Sequence, residues 1–524
     1  MRIERRRRLV LHLAWLPLLM QGSLARADPV GPWFDGERPG PQARQAVSLL
    51  LDASSHGLRP DDYAAAALQQ AVERAALGAP PDADSARRLD LGLTLAMQRY
   101  LGDLHGGRVD PRALRIDFEP ADRAAFDAAS VLRDALRSGR VGELPREVAP
   151  RLPLYEQLRG ELARYRALAA DAAWRMPLPP LPGAPGRAAR LEPGQPYAGT
   201  ARLAQRLVAL GDLPAATPLP ALYEGPLVAA LQSFQARHGL ASDGVVGAAT
   251  LAQLQVTPAA RARQIELMLE RLRWTPLTQR PRMIVVNIPE FVLRAYEVRD
   301  GRIAVQREMK VIVGKAYDTR TPLLDEDMRS IEFSPYWNVP PSIARGEIVP
   351  KLRRDPGYFA REGFEFVAAD GRVQTELSAQ ALDAVLAGAA RIRQRPGERN
   401  ALGDIKFVFP NRDHIYLHHT PATQLFERAR RDFSHGCIRV EQPVALATFV
   451  LQDQPSWTEA RIRQAMSQGT STTLRLATPV PVLIAYGTAL VKGGRTYFFD
   501  DIYGLDRELE AALRQRPPPA WTIR

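Results

Sequence analysis

Near Arg282 the spacing of apolar residues changes period, which divides the chain into a helical part and a mainly β part. Upstream, from about Gln42 to Arg175, apolar residues fall at helical intervals, as in Ala46-Leu49-Leu50 and Leu89-Leu93-Ala96-Tyr100. Turn clusters at His56-Gly57 and Gly106-Gly107 interrupt them. Downstream come short strand-like runs: Met283 to Val286, Phe291 to Tyr296, Ile303 to Val305 and Met309 to Val313, with Asp300-Gly301 as a hairpin signal. A chain of 524 residues also exceeds what one hydrophobic core serves, so roughly three or four domains are expected. The expected fold class is multidomain α+β: a helical scaffold, a small helical module, and a mainly β domain with a helical insertion.

Local composition sets the boundaries. A helical domain is expected over 28–176, and the Pro-rich run from Pro177 to Pro185 reads as a linker over 177–200. A compact module over 201–256 places Leu227, Leu231 and Phe234 on one helix face, with His238-Gly239-Leu240 and Asp243-Gly244 closing turns. His238 is either a ligand or a turn-capping side chain. A connecting helix over 257–280 carries Ile265, Met268, Leu269 and Leu272 on one face. The β domain is expected over 281–475, interrupted at about 341–395 by helix-like segments that form either a substrate lid or a passive insertion. Residues 476–524 remain as a C-terminal segment.

The N-terminus carries Arg2 and Arg5 to Arg8, the apolar stretch Leu9 to Met20, and Ala25-Arg26-Ala27, the three parts of a secretory signal. This twelve-residue stretch, broken by His12 and Pro17, rises only about 18 Å as a helix, against a hydrocarbon core of about 30 Å, so cleavage at 27 is expected, with an uncleaved anchor as the alternative. Without residues 1–27 the formal charge falls from +12 to +7. Lys is absent before Lys310 while Arg is plentiful, and no basic stripe points to nucleic acid. Cys437 is the only cysteine, so no intramolecular disulfide forms. In an oxidising exported compartment such a thiol is either buried or used.

Four of the eight histidines, His414, His418, His419 and His435, fall in the short segment that ends at Cys437. A metal site would need them to converge within about 2.0–2.3 Å of one ion. The run Ile415-Tyr416-Leu417 favours a strand, on which His414 and His418 stand about 13 Å apart and His418 and His419 point to opposite faces. No metal is therefore expected. Nucleophilic catalysis fits better. A free thiol with a pKa near 8.5 is only about 3% ionised at pH 7 and needs an adjacent base, a backbone N–H facing the oxyanion, and a small neighbour for close approach. Ser434-His435-Gly436-Cys437 supplies the last two.

The run Ser434-His435-Gly436-Cys437-Ile438-Arg439, preceded by Leu417-His418-His419-Thr420, resembles the signature of the YkuD-type L,D-transpeptidases. The module residues Leu231, Phe234-Gln235, His238-Gly239-Leu240, Asp243-Gly244, Gly247 and Thr250-Leu251 resemble a peptidoglycan-binding module. The whole arrangement, with Tyr336-Trp337-Asn338-Val339-Pro340, Pro396-Gly397, Asn400-Ala401-Leu402-Gly403 and Tyr503-Gly504, resembles the long periplasmic YcbB-like subgroup. The resemblance implies Cys437 as nucleophile, His418, 19 positions upstream, as base, and the backbone carbonyl of His419 as third member. It also implies exchange between peptidoglycan stem peptides with no cofactor, acylation by carbapenems, a periplasmic location, and other wall synthases as further partners.

Around this centre, Gly436, Ser434, His435 and Trp337 are candidate oxyanion or substrate neighbours. Tyr416 shares the strand face of His418 and is either an oxyanion or substrate contact or a core tyrosine. Arg439 either holds a stem-peptide carboxylate or braces the loop through an ion pair. The expected activity is an L,D-transpeptidase forming 3–3 cross-links. The alternatives are an L,D-carboxypeptidase, a peptidoglycan-binding scaffold with an idle thiol, and a cysteine peptidase of another fold.

Overall fold

A computed structural model describes residues 31–517 apart from 115, 117–124, 184–187, 276–279, 301 and 317–318. The secretory signal expected at 1–27 lies outside the described residues. Among the described residues no helix is long and apolar enough to cross a membrane.

The N-terminal part is helical, with Pro41–Leu51, Ala65–Leu77, Ala83–Gly106, Ala128–Ser138 and Pro153–Leu168 as its main helices. The N-cap carboxylates of Asp82 and Asp127 accept from the N–H groups of Ser85 and Ala129, satisfying donors that a helix start leaves open. The apolar stripes meet in one core around Leu50, Leu93, Met97, Tyr100, Tyr155 and Leu162.

The connecting helix, Pro258–Leu272, is buried on almost every side. Ile265, Met268, Leu269 and Leu272 enter the scaffold core, as their common face requires, whereas Leu267 and the following Trp274 enter the core of the β domain. One helix thus serves two cores.

The small module has its own core around Leu203, Leu207, Leu227, Leu231, Phe234 and Leu254. Gln235 ties its turn, donating to Asp243 Oδ1 and the Val245 carbonyl and accepting from the Gly244 N–H. Within the stretch expected as linker, Leu178, Leu191 and Tyr197 are buried in this same core, and Leu191 pairs with Val246 as an isolated bridge. His238 is 3% exposed, stacks on Phe234 with ring centroids 3.8 Å apart and directs Nδ1 at the Phe234 carbonyl, so it is a packing residue.

The β domain is built on one nine-stranded sheet. Its strands are β1 (Arg282–Asn287), β2 (Val292–Arg299), β3 (Arg302–Gly314), β4 (Leu324–Phe333), β5 (Ile405–Val408), β6 (Leu417–His418), β7 (Asp432–Ser434), β8 (Ile438–Val440) and β9 (Thr472–Ala485). The order is β7-β3-β8-β6-β5-β4-β9-β1-β2, and β2 also pairs with β3, so the sheet curls back on itself. The expected boundary at 475 falls inside β9, which pairs with β4 along both its halves and with β1 through Val482–Ala485. A register shift between Arg475 and Val480 interrupts the ladder beside Pro479 and Pro481, which explains why the strand looks finished in the sequence.

The insertion adds strands to the helices expected there. Trp337–Asn338, Ala390–Gln394, Phe364–Ala368 and Val373–Gln374 form a four-stranded sheet over a separate core of Val349, Leu352, Phe359, Phe366, Leu382 and Ile392. One turn, Ala344–Ile348, is a π-helix.

After β9 a hairpin, Ala489–Lys492 with Arg495–Phe498, turns through Gly493 and Gly494, both at positive φ (55° and 71°) as a two-residue turn of this kind requires. Ala489 and Phe498 enter the scaffold core. The module's Arg237 donates to the Thr496 carbonyl at 2.5 Å and its Gln253 to Asp500 at 2.5 Å.

Candidate active site

Ile415 and Leu417 point into the domain core at 7% and 0% exposure, so Tyr416 and His418 must lie on the opposite face. β6 runs parallel to β8 with Leu417 opposite Ile438 and His418 opposite Arg439. Alternation then puts Cys437 and Arg439 on the same face as Tyr416 and His418. On the other side β5 sets Lys406 opposite His418, and β4 sets Glu332 opposite Lys406. Arg439, His418, Lys406 and Glu332 form one row across four strands, with Tyr416 and Cys437 beside it.

The loop before Cys437 is held from inside. Gly436 sits at φ +114°, a conformation side chains rarely adopt, and a Cβ there would lie 3.3 Å from Ile415 Cδ1. Ser434, 2% exposed, donates through Oγ to the Cys437 carbonyl at 2.5 Å and accepts from the Gly436 N–H at 3.2 Å. The Thr321 hydroxyl donates to the Gly436 carbonyl at 2.7 Å, and Tyr503, from the C-terminal segment, donates to the Gly314 carbonyl at 2.7 Å and accepts from the Thr321 N–H. Among the described residues the Cys437 N–H has no backbone acceptor.

His418 is 4% exposed, and its Nδ1 lies 2.5 Å from the His419 carbonyl. A carbonyl only accepts, so Nδ1 carries the proton of the neutral ring and Nε2 keeps its lone pair. His419 is placed in turn by Asp404 Oδ1, 2.5 Å from its Nδ1, and by its N–H on the Ile405 carbonyl. Gly403 packs directly under it at φ +63°. The Asn400 side chain shapes that loop by donating to the Pro335 and Arg395 carbonyls and accepting from the Leu402 N–H.

Burial, reinforced by the Arg439 guanidinium, pushes His418 down to about 3 against the pull of the His419 and Leu402 carbonyls. Burial likewise pushes the Cys437 thiol up, opposed by the Tyr416 N–H and hydroxyl, Lys406 and Arg439. Both side chains are therefore neutral near pH 7, the state in which Nε2 can accept a proton and the thiol still carries one. Among the described residues no hydrogen bond joins Sγ to His418, and the thiol is directed at the His414 carbonyl, 3.8 Å away. His414 holds that carbonyl in place from a left-handed backbone at φ 55°.

Of the residues marked in the sequence, Cys437, His418, His419, Gly436, Ser434, Tyr416 and Arg439 come together. Arg439 has no ion pair among the described residues and its Nε is buried without a hydrogen-bond partner, so it braces nothing through a carboxylate. His435 instead meets Glu347 Oε1 of the π-helical turn at 2.6 Å, a contact between the Cys loop and the insertion. Trp337 lies in the insertion's sheet, opposite Gln394 and beside Phe364. The four histidines have separate surroundings, and among the described residues no group of three or more His, Cys, Asp or Glu side chains is placed to hold a metal ion. Lys406, Glu332, Asp404 and the His414 carbonyl were not visible as site groups in the sequence.

Three family models match the chain. Residues 281–482 match the L,D-transpeptidase catalytic domain, YkuD, residues 29–162 the Scaffold domain, and residues 198–254 the "Putative peptidoglycan binding domain". A Haemophilus influenzae protein named "Putative L,D-transpeptidase" is 34% identical over 229 residues, which cover 44% of this chain and 45% of that protein. The chain thus matches under half the length of that relative. A crystal structure of an L,D-transpeptidase from Xylanimonas cellulosilytica aligns over 58% of this chain and 100% of its own at 18% identity, with a TM-score of 0.18 that supports no structural inference. Residues 281–482, which contain Cys437, His418 and the row of side chains around them, are a YkuD-type L,D-transpeptidase catalytic domain, carried on a chain that also holds a peptidoglycan-binding domain.

Proposed function

We propose that the chain is an L,D-transpeptidase that cross-links peptidoglycan through an acyl-thioester on Cys437. The observation that carries this reading is the placement of Cys437, Tyr416, His418 and Arg439 on one face of a parallel strand pair, with the His418 tautomer fixed by the His419 carbonyl. The thiol turns from the His414 carbonyl to His418, gives its proton to Nε2, and attacks the carbonyl that follows the L-centre of diaminopimelate in a tetrapeptide donor. The Cys437 N–H faces the oxyanion. As the tetrahedral intermediate collapses, the C–N bond breaks and His418 returns the proton to the departing D-Ala amine. The side-chain amine of a second stem peptide then attacks the thioester, its proton passes through His418 to the thiolate, and a 3–3 cross-link results. Water in place of the amine gives an L,D-carboxypeptidase.

Arg439, without a carboxylate of its own, suits a carboxylate of the donor. The module over 198–254 supports peptidoglycan as the polymer engaged, and that substrate places the enzyme outside the cytoplasm, in keeping with a signal at 1–27 and a periplasmic location. Mass spectrometry of the enzyme with a tetrapeptide-bearing muropeptide tests the reading. The expected adduct has the mass of the donor less D-Ala and is absent in Cys437→Ala; an unmodified enzyme alongside continuing D-Ala release would overturn it.

A further inference from the structure

Lys406 takes no part in the exchange described above, yet the sheet delivers it to the site. Its ammonium lies 3.2 Å from Glu332 Oε2 and 4.4 Å from the centroid of the Tyr416 ring. Both charged side chains are largely withdrawn from solvent, at 18% exposure for Lys406 and 28% for Glu332. An ordinary surface ion pair accounts for the Glu332 contact alone. It does not account for a cation seated 4.4 Å from the ring of Tyr416, a side chain that shares one sheet face with Cys437.

We propose that Lys406 is a positioning residue for the nucleophile: anchored by Glu332, it fixes and polarises the Tyr416 ring so that the phenol hydroxyl donates to the Cys437 sulfur as the thiolate forms. The inference rests on Cys437 being the nucleophile. A cation over an aromatic face draws electron density from the ring and strengthens its O–H as a donor. Burial holds Tyr416 well above its ordinary range, so the hydroxyl keeps its proton throughout and contributes a hydrogen bond only. The thiol proton still goes to His418. The groups around the sulfur are the His414 carbonyl at 3.8 Å, Tyr416 just before β6 and His418 on it, Arg439 on β8, Lys406 on β5 and, beyond it, Glu332 on β4, while Glu347 of the insertion is engaged by His435.

Because Cys437 is the only thiol, alkylation of the full chain by iodoacetamide, followed by mass across a pH series, reports on this sulfur alone. Lys406→Met is expected to move the midpoint of the profile up by about one pH unit and to slow alkylation at pH 7 about tenfold. Lys406→Arg restores most of the loss. Glu332→Gln leaves an oxygen for the ammonium but removes its counter-charge, and lowers the midpoint. In a Tyr416→Phe background Lys406→Met adds little.

A Lys406→Met profile that overlays the parent overturns the proposal, and so do Lys406 and Tyr416 effects that simply add. Should circular dichroism show Lys406→Met unfolded, the Arg and Gln variants decide, and a midpoint raised by Glu332→Gln overturns the assignment. Failure of the broader reading looks different: these shifts would persist while Cys437→Ala kept releasing D-Ala from a tetrapeptide donor.

Discussion

Adding one methyl group at Gly403, which touches neither thiol nor base, should damage catalysis through the residue that holds the base. A Cβ there would lie 2.7 Å from His419 Nδ1 and 2.8 Å from its Cβ, so the His419 side chain must retreat by roughly 0.7 Å to reach ordinary van der Waals contact. Gly403 also sits at φ +63°, where an L-residue costs about 1–2 kcal/mol. His419 presents the carbonyl that receives the His418 proton at 2.5 Å, so a shift of that size stretches the bond that sets the tautomer and aim of the base. Misplacement by about 1 Å costs on the order of a hundredfold in rate, which puts Gly403→Ala at roughly ten- to a hundredfold in kcat. KM should change little, because no substrate contact is removed. The assay is thioester formation from a tetrapeptide donor, followed beside the far-ultraviolet dichroism of the same sample. Gly160→Ala is the control: it has open space around its Cβ within the helix Pro153–Leu168, and should gain about 1 kcal/mol of helix stability with turnover unchanged. A Gly403→Ala enzyme that is folded and turns over at the parent rate would refute the link between this glycine and His418.

Three further outcomes follow from the geometry. Ser434→Ala strands the buried Gly436 N–H and Cys437 carbonyl, so the urea midpoint should fall by the equivalent of about 1–3 kcal/mol and acylation should slow with it; an unchanged midpoint would mean the hydroxyl is not their partner. Arg439→Met should raise KM for a donor with a free C-terminal carboxylate tenfold or more and spare an amidated donor, whereas equal effects on both would remove Arg439 from carboxylate binding. His56 and His418 are held at about 3 and His238 well below 6.5, chiefly by burial. Their folded pKa values are depressed, so the unfolded chain binds more protons between about 3 and 6.5. The stability they contribute is complete above 6.5 and is lost as pH falls through that window, by several kcal/mol in sum. Denaturation midpoints at pH 7, 5 and 4 should fall in that order, and His56→Gln should flatten the slope; equal slopes would refute it.

The grouping of Cys437, His418 and Tyr416 in the candidate site was legible because they are close in sequence. The alternation Ile415-Tyr416-Leu417-His418 gave the two faces, but the strand expected through His414 is only Leu417–His418, because His414 turns the chain at φ 55°; the Gly before Cys437 gave the sharp approach. Lys406 was not legible: it reaches His418 only through the antiparallel register of β5 on β6, and nothing local to Ile405-Lys406-Phe407 announces that pairing. Gly403 was marked only as part of the stretch Asn400-Ala401-Leu402-Gly403, since the demand for glycine there comes from a histidine 16 positions later. The stretch over 177–200 has no periodicity to betray burial, and Leu191 and Tyr197 are held by tertiary packing and a single bridge. His435 was a candidate oxyanion or substrate neighbour, and its partner in the structure is Glu347, 88 residues away in the insertion.

The hairpin at Ala489–Phe498 has a consequence for how such a protein meets a polymer. Its residues are bonded to the wall-binding module through Arg237 and Arg495 and are packed into the scaffold core through Ala489 and Phe498. A module on a flexible tether raises the effective concentration of its catalytic partner over a whole sphere of nearby sites. Here those contacts replace a tether and hold the module at one offset from Cys437, so under the function proposed above the pair would select strands by spacing rather than sample every site in reach.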